Sequence, residues 1–299
     1  MVSPWSALER PPLRAAALRR ALVEGTGAPT PWTDLWVKAS TGSTNADVVA
    51  AARAGAPPGL VVTADEQTAG RGRLGRAWGT PPRAALAVSV LLRPSPVPAA
   101  RWGWLPLLTG LAVLDAVNAT GVDARLKWPN DVLVADRKLA GILAERVTGA
   151  DHERAEGDGD GVVVGVGINV SLTPGELPVP TATSLLIEGA RQLDRDPLLR
   201  ALLRGLGRRY VAWRAAGGNV GTIEVGGDGT REAYVRACST LGRTVRVALP
   251  GGAVVTGRAR DIDADGRLVL DPEGTDDLPG ATGHAGSLLV ASGDVLHVR

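Results

Sequence analysis

Residues 126–145 read LKWPNDVLVADRKLAGILAE. Short aliphatic runs are divided by Trp-Pro-Asn-Asp and Ala-Asp-Arg, so the stretch predicts strands over Ala124–Lys127, Val132–Val134 and Leu139–Val147. Pro129 supports a sharp connection between the first two. Upstream, the pattern predicts strands over Leu35–Ala39, Leu60–Ala64 and Ala84–Leu92, the last nearly all apolar and so buried on both faces. It predicts a helix over Ser43–Arg53, with Ser43 at or near its N-cap, and a helix-like stretch from Ser6 to Val23 interrupted by Pro11–Pro12. Ala99–Asn118 reads as the longest amphipathic helix, with Trp104, Leu107, Leu108, Leu111 and Leu114 on one stripe. Downstream come an acidic, glycine-rich hairpin tip (Asp151–Gly161), a strand over Val162–Val170 and a helix over Pro197–Ala215. Beyond Arg236 the texture changes. TVRVALPGGAVVTGRARDIDADGRLVLD, 244–271, alternates short β-rich runs with Gly-Gly and Asp-Gly turns. That pattern predicts a small barrel of about sixty residues appended to an α+β domain.

The chain has 299 residues, enough for about two domains. Its 33 Lys+Arg against 31 Asp+Glu leave a net charge of +2, so bulk charge gives no reason to expect a nucleic-acid partner. No apolar run approaches the roughly 18 residues of a membrane span, and Arg19 and Arg20 interrupt any signal-peptide core. One cysteine (Cys238) excludes an internal disulfide, and three scattered histidines (His152, His284, His297) argue against zinc chemistry. The expectation is a soluble, cytoplasmic protein without nucleic-acid or membrane partners.

Lysine occurs three times (Lys38, Lys127, Lys138) against thirty arginines. In a chain drifted so far toward arginine, a surviving lysine points to a place where a compact ammonium is needed, and two of the three lie in residues 126–145; the alternative is chance. Residues 67–114 contain no acid but carry Arg71, Arg73, Arg76, Arg83, Arg93 and Arg101. In AGRGRLGRAW, 69–78, glycines let backbone N–H groups face an anion while arginines add forked donors; the alternative is a solvated basic loop. Gly70–Gly75 fits GxGxxG formally, yet no helix can open at AWGTPP, so it is not a dinucleotide fingerprint. Gly42-Ser43-Thr44-Asn45 offers hydroxyls and an amide at a helix start, for a ligand or only as a cap. Asp131 either faces a phosphate-bound metal ion or forms a turn. Gly165-Val166-Gly167-Ile168-Asn169 allows close approach of a ligand or of neighbouring backbone.

In this order, GSTN at 42–45, EQTAGRGRLGRAW at 66–78, LKWPNDVLV with RKLAGILAE at 126–145 and GVGINV at 165–170 closely resemble the biotin protein ligases. The likeness continues through LGRTVRVALPGG, GRARDIDADGRLVL and the closing SGDVLHVR, covering nearly the whole chain from about residue 34. It implies a class II synthetase-like biotin/lipoate ligase catalytic domain of mixed sheet and helices over 34–237, an SH3-like barrel over 238–299 and an N-terminal extension over 1–33. The resemblance implies that biotin and MgATP give biotinyl-5′-AMP, and that a lysine of a biotin carboxyl carrier domain of an acyl-CoA carboxylase then accepts the biotinyl group. Carried over residue by residue, Ser43, Thr44, Asn45, Gln67, Arg71, Gly72, Arg73, Lys138 and Gly141 bind biotin. Arg71, Arg73, Trp78, Lys127, Asn130 and Asn169 bind ATP and adenylate; Lys138 and Arg71 are catalytic; Asp131 faces Mg²⁺. Gly79–Arg83 departs from the family's usual stretch after the tryptophan, and Arg83 receives no role. Two alternatives remain. One is a lipoate ligase of the same superfamily; the other is a biotin-sensing DNA-binding repressor, disfavoured because about 35 residues are too few for a winged helix.

Overall fold

The structure is a computed structural model and describes residues 10–25, 30–148, 160–221, 229–249, 252–273, 286–291 and 293–297. Seven strands build a mixed sheet: β1 (Asp34–Lys38), β2 (Leu60–Ala64), β3 (Ala85–Leu92), β4 (Arg125–Lys127), β5 (Asp131–Val134), β6 (Arg137–Val147) and β7 (Gly161–Asn169). Their order is β1-β2-β3-β7-β6-β5-β4, with β1 and β2 parallel and every other pair antiparallel. All eight side chains of β3 are buried, as its near-continuous apolar sequence requires of a strand covered on both faces.

Among the described residues, five helices accompany these strands: α1 (Ala15–Leu22), α2 (Thr44–Arg53), α3 (Trp104–Asn118), α4 (Arg195–Ala215) and α5 (Thr230–Ala237). Helix α3 corrects the sequence reading. It begins at Trp104 after a 3-10 turn over Ala99–Gly103, and twelve of its fifteen residues are buried, so it is apolar all round rather than striped. The cause is its position between the sheet and α4, with α5 at its end. Helix α4, with 21 residues, is the longest described. Helix α1 is shorter than the expected stretch from Ser6, whose first residues lie outside the described ones, as do most of the expected hairpin tip at Asp151–Gly161, His152 and His284.

One face of the sheet packs Leu86, Val88, Val90, Val164, Val166 and Ile168 with α3 and α4 in the main core. On the other face, α2 covers only the half bearing Leu60, Val62, Leu91 and Val163, through Val48 and Ala52. The uncovered half carries Ser89, Ala87, Gly165, Gly167, Leu143 and Gly141, which alternation places side by side on neighbouring strands.

A second sheet has five antiparallel strands: β8 (Thr244–Ala248), β9 (Val254–Ile262), β10 (Leu268–Pro272), β11 (Leu288–Val290) and β12 (Asp294–His297), in the order β11-β10-β9-β8-β12. This is the β-rich unit that the closing sequence predicts. It packs on the 126–131 turn: Trp128 is fully buried, its backbone N–H donates to Thr240 Oγ1 (3.0 Å) and its indole N–H to the Gly266 carbonyl (3.0 Å).

Candidate active site

Small residues on the uncovered half-sheet make a floor that side chains from three loops approach closely. A Cβ on Gly165 would overlap Asn45 Oδ1, and one on Gly167 would lie 2.6–2.8 Å from the Trp78 indole. Glycine at these positions therefore answers a close approach. Gly141 has Lys138 Nζ and Trp78 at 3.3 Å from its Cβ position.

Lys138 reaches this face through a β-bulge. In a regular strand, residues 138 and 141 face opposite ways. The register between β5 and β6 runs Asp131↔Gly141 and Val132↔Ala140, then shifts to Leu133↔Lys138. The extra residue, Leu139, stays in the core and returns Lys138 to the side of Gly141. Its backbone is held as well: Lys138 N–H donates to the Thr181 carbonyl (2.7 Å), and Thr183 N–H to the Lys138 carbonyl (2.9 Å).

The inner compartment, about 460 Å³ of empty space including its open mouth, is walled by residues 43–45, Gln67 and the 71–73 loop above that floor. Ser43, Thr44 and Asn45 are buried at the start of α2, and the Ser43 hydroxyl makes no capping bond. Gln67 Oε1 accepts from the Thr44 N–H (2.8 Å) and hydroxyl (3.0 Å), which turns its amide nitrogen away toward Gly70. Asn45 donates to Glu145 Oε2 (2.6 Å), and its carbonyl lies 2.6 Å from the Ser89 hydroxyl. The wall is thus a cross-braced set of hydroxyls and amides suited to a neutral, hydrogen-bonding head group.

An outer compartment of about 1410 Å³ adjoins it, sharing Gly72, Arg73, Trp78, Asn130 and Lys138 with the inner one. Lys127, Asp131, Asn169, Val179 and Thr181 also line it. Polar groups here meet as pairs. Lys138 Nζ lies 2.7 Å from Asp131 Oδ1 and 5.8 Å from the Trp78 ring centroid. Arg73 donates to Asn130 Oδ1 (2.9 Å), and Asn130 donates to the Ile142 carbonyl (3.1 Å). Asn169 donates to the Thr183 carbonyl (2.9 Å). The Trp78 indole N–H is buried at the junction with no acceptor among the described residues. At the far edge, burial first, then Lys127 and Arg243, push the His297 pKa down to about 4.

Every residue that the resemblance assigns to biotin, ATP or Mg²⁺ lines one or both compartments. Arg83, left without a role, turns to Asp65 instead, with Nε 3.7 Å from Oδ2. Lys38, the third lysine, pairs with Asp47 (2.9 Å).

The sequence profile described as "Biotin/lipoate A/B protein ligase family" matches residues 39–169, and "Biotin protein ligase C terminal domain" matches 240–282. A biotin–[acetyl-CoA-carboxylase] ligase of Mycobacterium tuberculosis (strain ATCC 25618 / H37Rv) is 44% identical over 295 residues, 97% of each chain. The chain belongs to the biotin protein ligase family. A biotin–[acetyl-CoA-carboxylase] ligase of Paracoccus denitrificans is 35% identical over 81% of this chain and 97% of its own. The fold is similar to that of the Aquifex aeolicus biotin protein ligase solved in complex with biotin and ATP, with a TM-score of 0.64 and 24% identity over 90% of this chain and all of that one.

Several site residues escape the motif reading. Ser89 is the lone hydroxyl in ALAVSVLL, and that break in an apolar strand is a usable signal. Glu145 lies two and four residues beyond Leu143 and Gly141, hence on their face. Thr181 and Thr183 are found only through tertiary pairing with Lys138.

Proposed function

We propose that the two compartments hold biotin and ATP, and that the chain forms biotinyl-5′-AMP and then transfers biotin to a lysine of a carboxylase's carrier domain. The observation that carries this reading is the junction: a neutral polar compartment and a wider one meet where Lys138, Arg73 and the Trp78 N–H converge. A carboxylate approaching an α-phosphate costs about 4 kcal/mol at 4 Å for an effective dielectric near 20. Cations fixed at that point offset it, and such preorganised charge is commonly the largest catalytic contribution.

In this reading Ser43, Thr44, Asn45 and Gln67 take the ureido end of biotin, and Gly72 and Gly141 leave room for its chain. Arg71, Arg73 and Lys138 meet its carboxylate and the α-phosphate. Trp78, Lys127, Asn130 and Asn169 serve the nucleotide. The biotin carboxylate attacks phosphorus and pyrophosphate leaves; the carrier amine then attacks the acyl carbon and AMP leaves. Mg²⁺ enters with ATP as part of the substrate. Among the described lining residues Asp131 bears the outer compartment's one carboxylate, and no group of three or more His, Cys, Asp or Glu is placed to hold a metal. A phosphate-borne ion with one protein carboxylate fits that donor set. Residues 34–237 then form the catalytic unit and 238–299 a C-terminal one, and the need for ATP puts the reaction in the cytoplasm. No described helix is long and apolar enough to cross a membrane.

Incubation with biotin, MgATP and a carrier domain, read by mass, tests the reading. Biotinylation is the expected result; lipoylation without biotinylation in a parallel reaction would replace it with the lipoate reading.

A further inference from the structure

The N-terminal segment lies against the catalytic sheet at a point with consequences for the nucleotide side. Arg10 is the meeting place. Its guanidinium donates to both carboxylate oxygens of Glu176 (3.1 and 2.6 Å) and to the Ser171 carbonyl (2.7 Å), with its side chain only 14% exposed. A forked, largely buried contact of this kind fixes orientation as well as distance. Glu176 in turn closes a capping box: its carboxylate accepts from the Thr173 N–H (2.9 Å) and hydroxyl (3.1 Å), tying residues 173–176 into one turn. Two residues on, Pro178 and Val179 enter the wall of the outer compartment, followed by Thr181 and Ala182. The same run then pairs with the backbone of Lys138 through Thr181 and Thr183 and takes the Asn169 amide on the Thr183 carbonyl. Arg10 thus anchors one end of a loop whose other end is fastened to Lys138 and Asn169.

We propose that Arg10 is a positioning residue for the nucleotide: through Glu176 and Ser171 it sets the 171–183 loop that walls the outer compartment. This rests on reading that compartment as the ATP side. The loop contributes no residue to the inner lining and meets it through the Lys138 backbone, whereas the wall for the head group comes from residues 43–45 and Gln67. The effect therefore falls mainly on ATP. Arg10 holds the Glu176 carboxyl down to about 2, so the contact persists throughout the working pH range.

The test is steady-state adenylation, by pyrophosphate release, with ATP and biotin varied separately. Arg10→Ala is expected to raise KM for ATP roughly threefold to tenfold, the range seen when a residue acts through intervening structure, with KM for biotin within about twofold. Arg10→Lys keeps the charge but not the fork and should recover part of the loss. Glu176→Gln keeps the capping box and should shift ATP in the same direction by less. An unchanged KM for ATP in Arg10→Ala overturns the proposal, as does an equal rise for both substrates, which would signal general loosening. Failure of the underlying reading is distinct, since the unaltered protein would then release no pyrophosphate.

Discussion

The two compartments are built on different plans. Inside, Thr44, Asn45, Gln67 and Ser89 satisfy one another from a helix start, a strand and the loop after β2, so their orientations are set before any ligand arrives. Outside, the groups that matter are held by one another's charge or by loops: Lys138 by Asp131, Arg73 by Asn130, the 171–183 loop by Arg10. A neutral head group is best met by a rigid hydrogen-bonding wall, since misplaced neutral donors gain little. A polyanion is met by cations that can exchange a protein partner for a phosphate. Affinity on the biotin side should therefore depend on packing, and turnover on the nucleotide side should depend on charge.

The largest expected effect tests the charged side. Lys138→Ala should lower adenylation on the order of 10²–10³-fold, the usual loss of one preorganised donor, with circular dichroism unchanged. Lys138→Arg should also be poor, because a larger planar fork replaces the compact ammonium beside Asp131 and the Trp78 ring. A Lys138→Ala rate within about threefold of the unaltered enzyme would break the contrast, since a donor of this kind is worth far more.

Next comes the packed side. Gly165→Ala drives a methyl into Asn45 Oδ1, and overpacking of this sort costs about 1–3 kcal/mol. Biotin affinity, measured by calorimetry, should fall roughly tenfold or more while binding of an ATP analogue barely changes. Equal losses for both ligands would show that the two sides are not separable. Ser89→Ala leaves the Asn45 carbonyl short of a donor. It should weaken biotin by about 1 kcal/mol, the net worth of such a bond.

The same contrast explains what could be read from the sequence. Residues 42–45, 66–78, 126–145 and 165–170 were legible because each packs several site residues into one contiguous run with unusual composition, and the structure gathers all of them around one cleft. The strands were legible too, to within a residue or two. Helix α3 was misread because a stripe of large residues looks amphipathic when the positions between include Thr109, Gly110, Ala112 and Ala116; these are buried too, as are Leu105, Val113 and Val117. The bulge at Leu139 left no mark in the string; it appears only as a register shift. Arg10, Thr181 and Glu188 were invisible for a different reason: each acts on a residue far away in the chain, Glu188 pairing with Arg137.

The smallest effect concerns the edge of the charged side. His297 stands 3.3 Å from Arg243 Nη1 through Nδ1, 3.4 Å from the Thr240 hydroxyl through Nε2 and 3.9 Å from the Asp136 carboxylate. Neutral imidazole suits these contacts, accepting from Arg243 and donating to Thr240, which itself accepts the Trp128 N–H. A proton on Nδ1 would add a cation beside Arg243 and Lys127. Burial and those neighbours accordingly lower its pKa from 6.5 to about 4. The unfolded chain binds this proton more readily than the folded one, so stability is fully present above about pH 6.5 and declines as pH falls toward 4. With solvent screening of a half-buried group allowed for, the loss between pH 7.5 and 5 should be about 1 kcal/mol. Glu176, held at about 2, loses its contribution only below its unfolded value of 4.5, so it does not enter this window. Urea unfolding at the two pH values should show His297→Asn with the shallower dependence and Gly165→Ala with the slope of the unaltered protein. Parallel slopes for His297→Asn and the unaltered protein would mean that the outer edge is set by packing, like the biotin side, and not by charge.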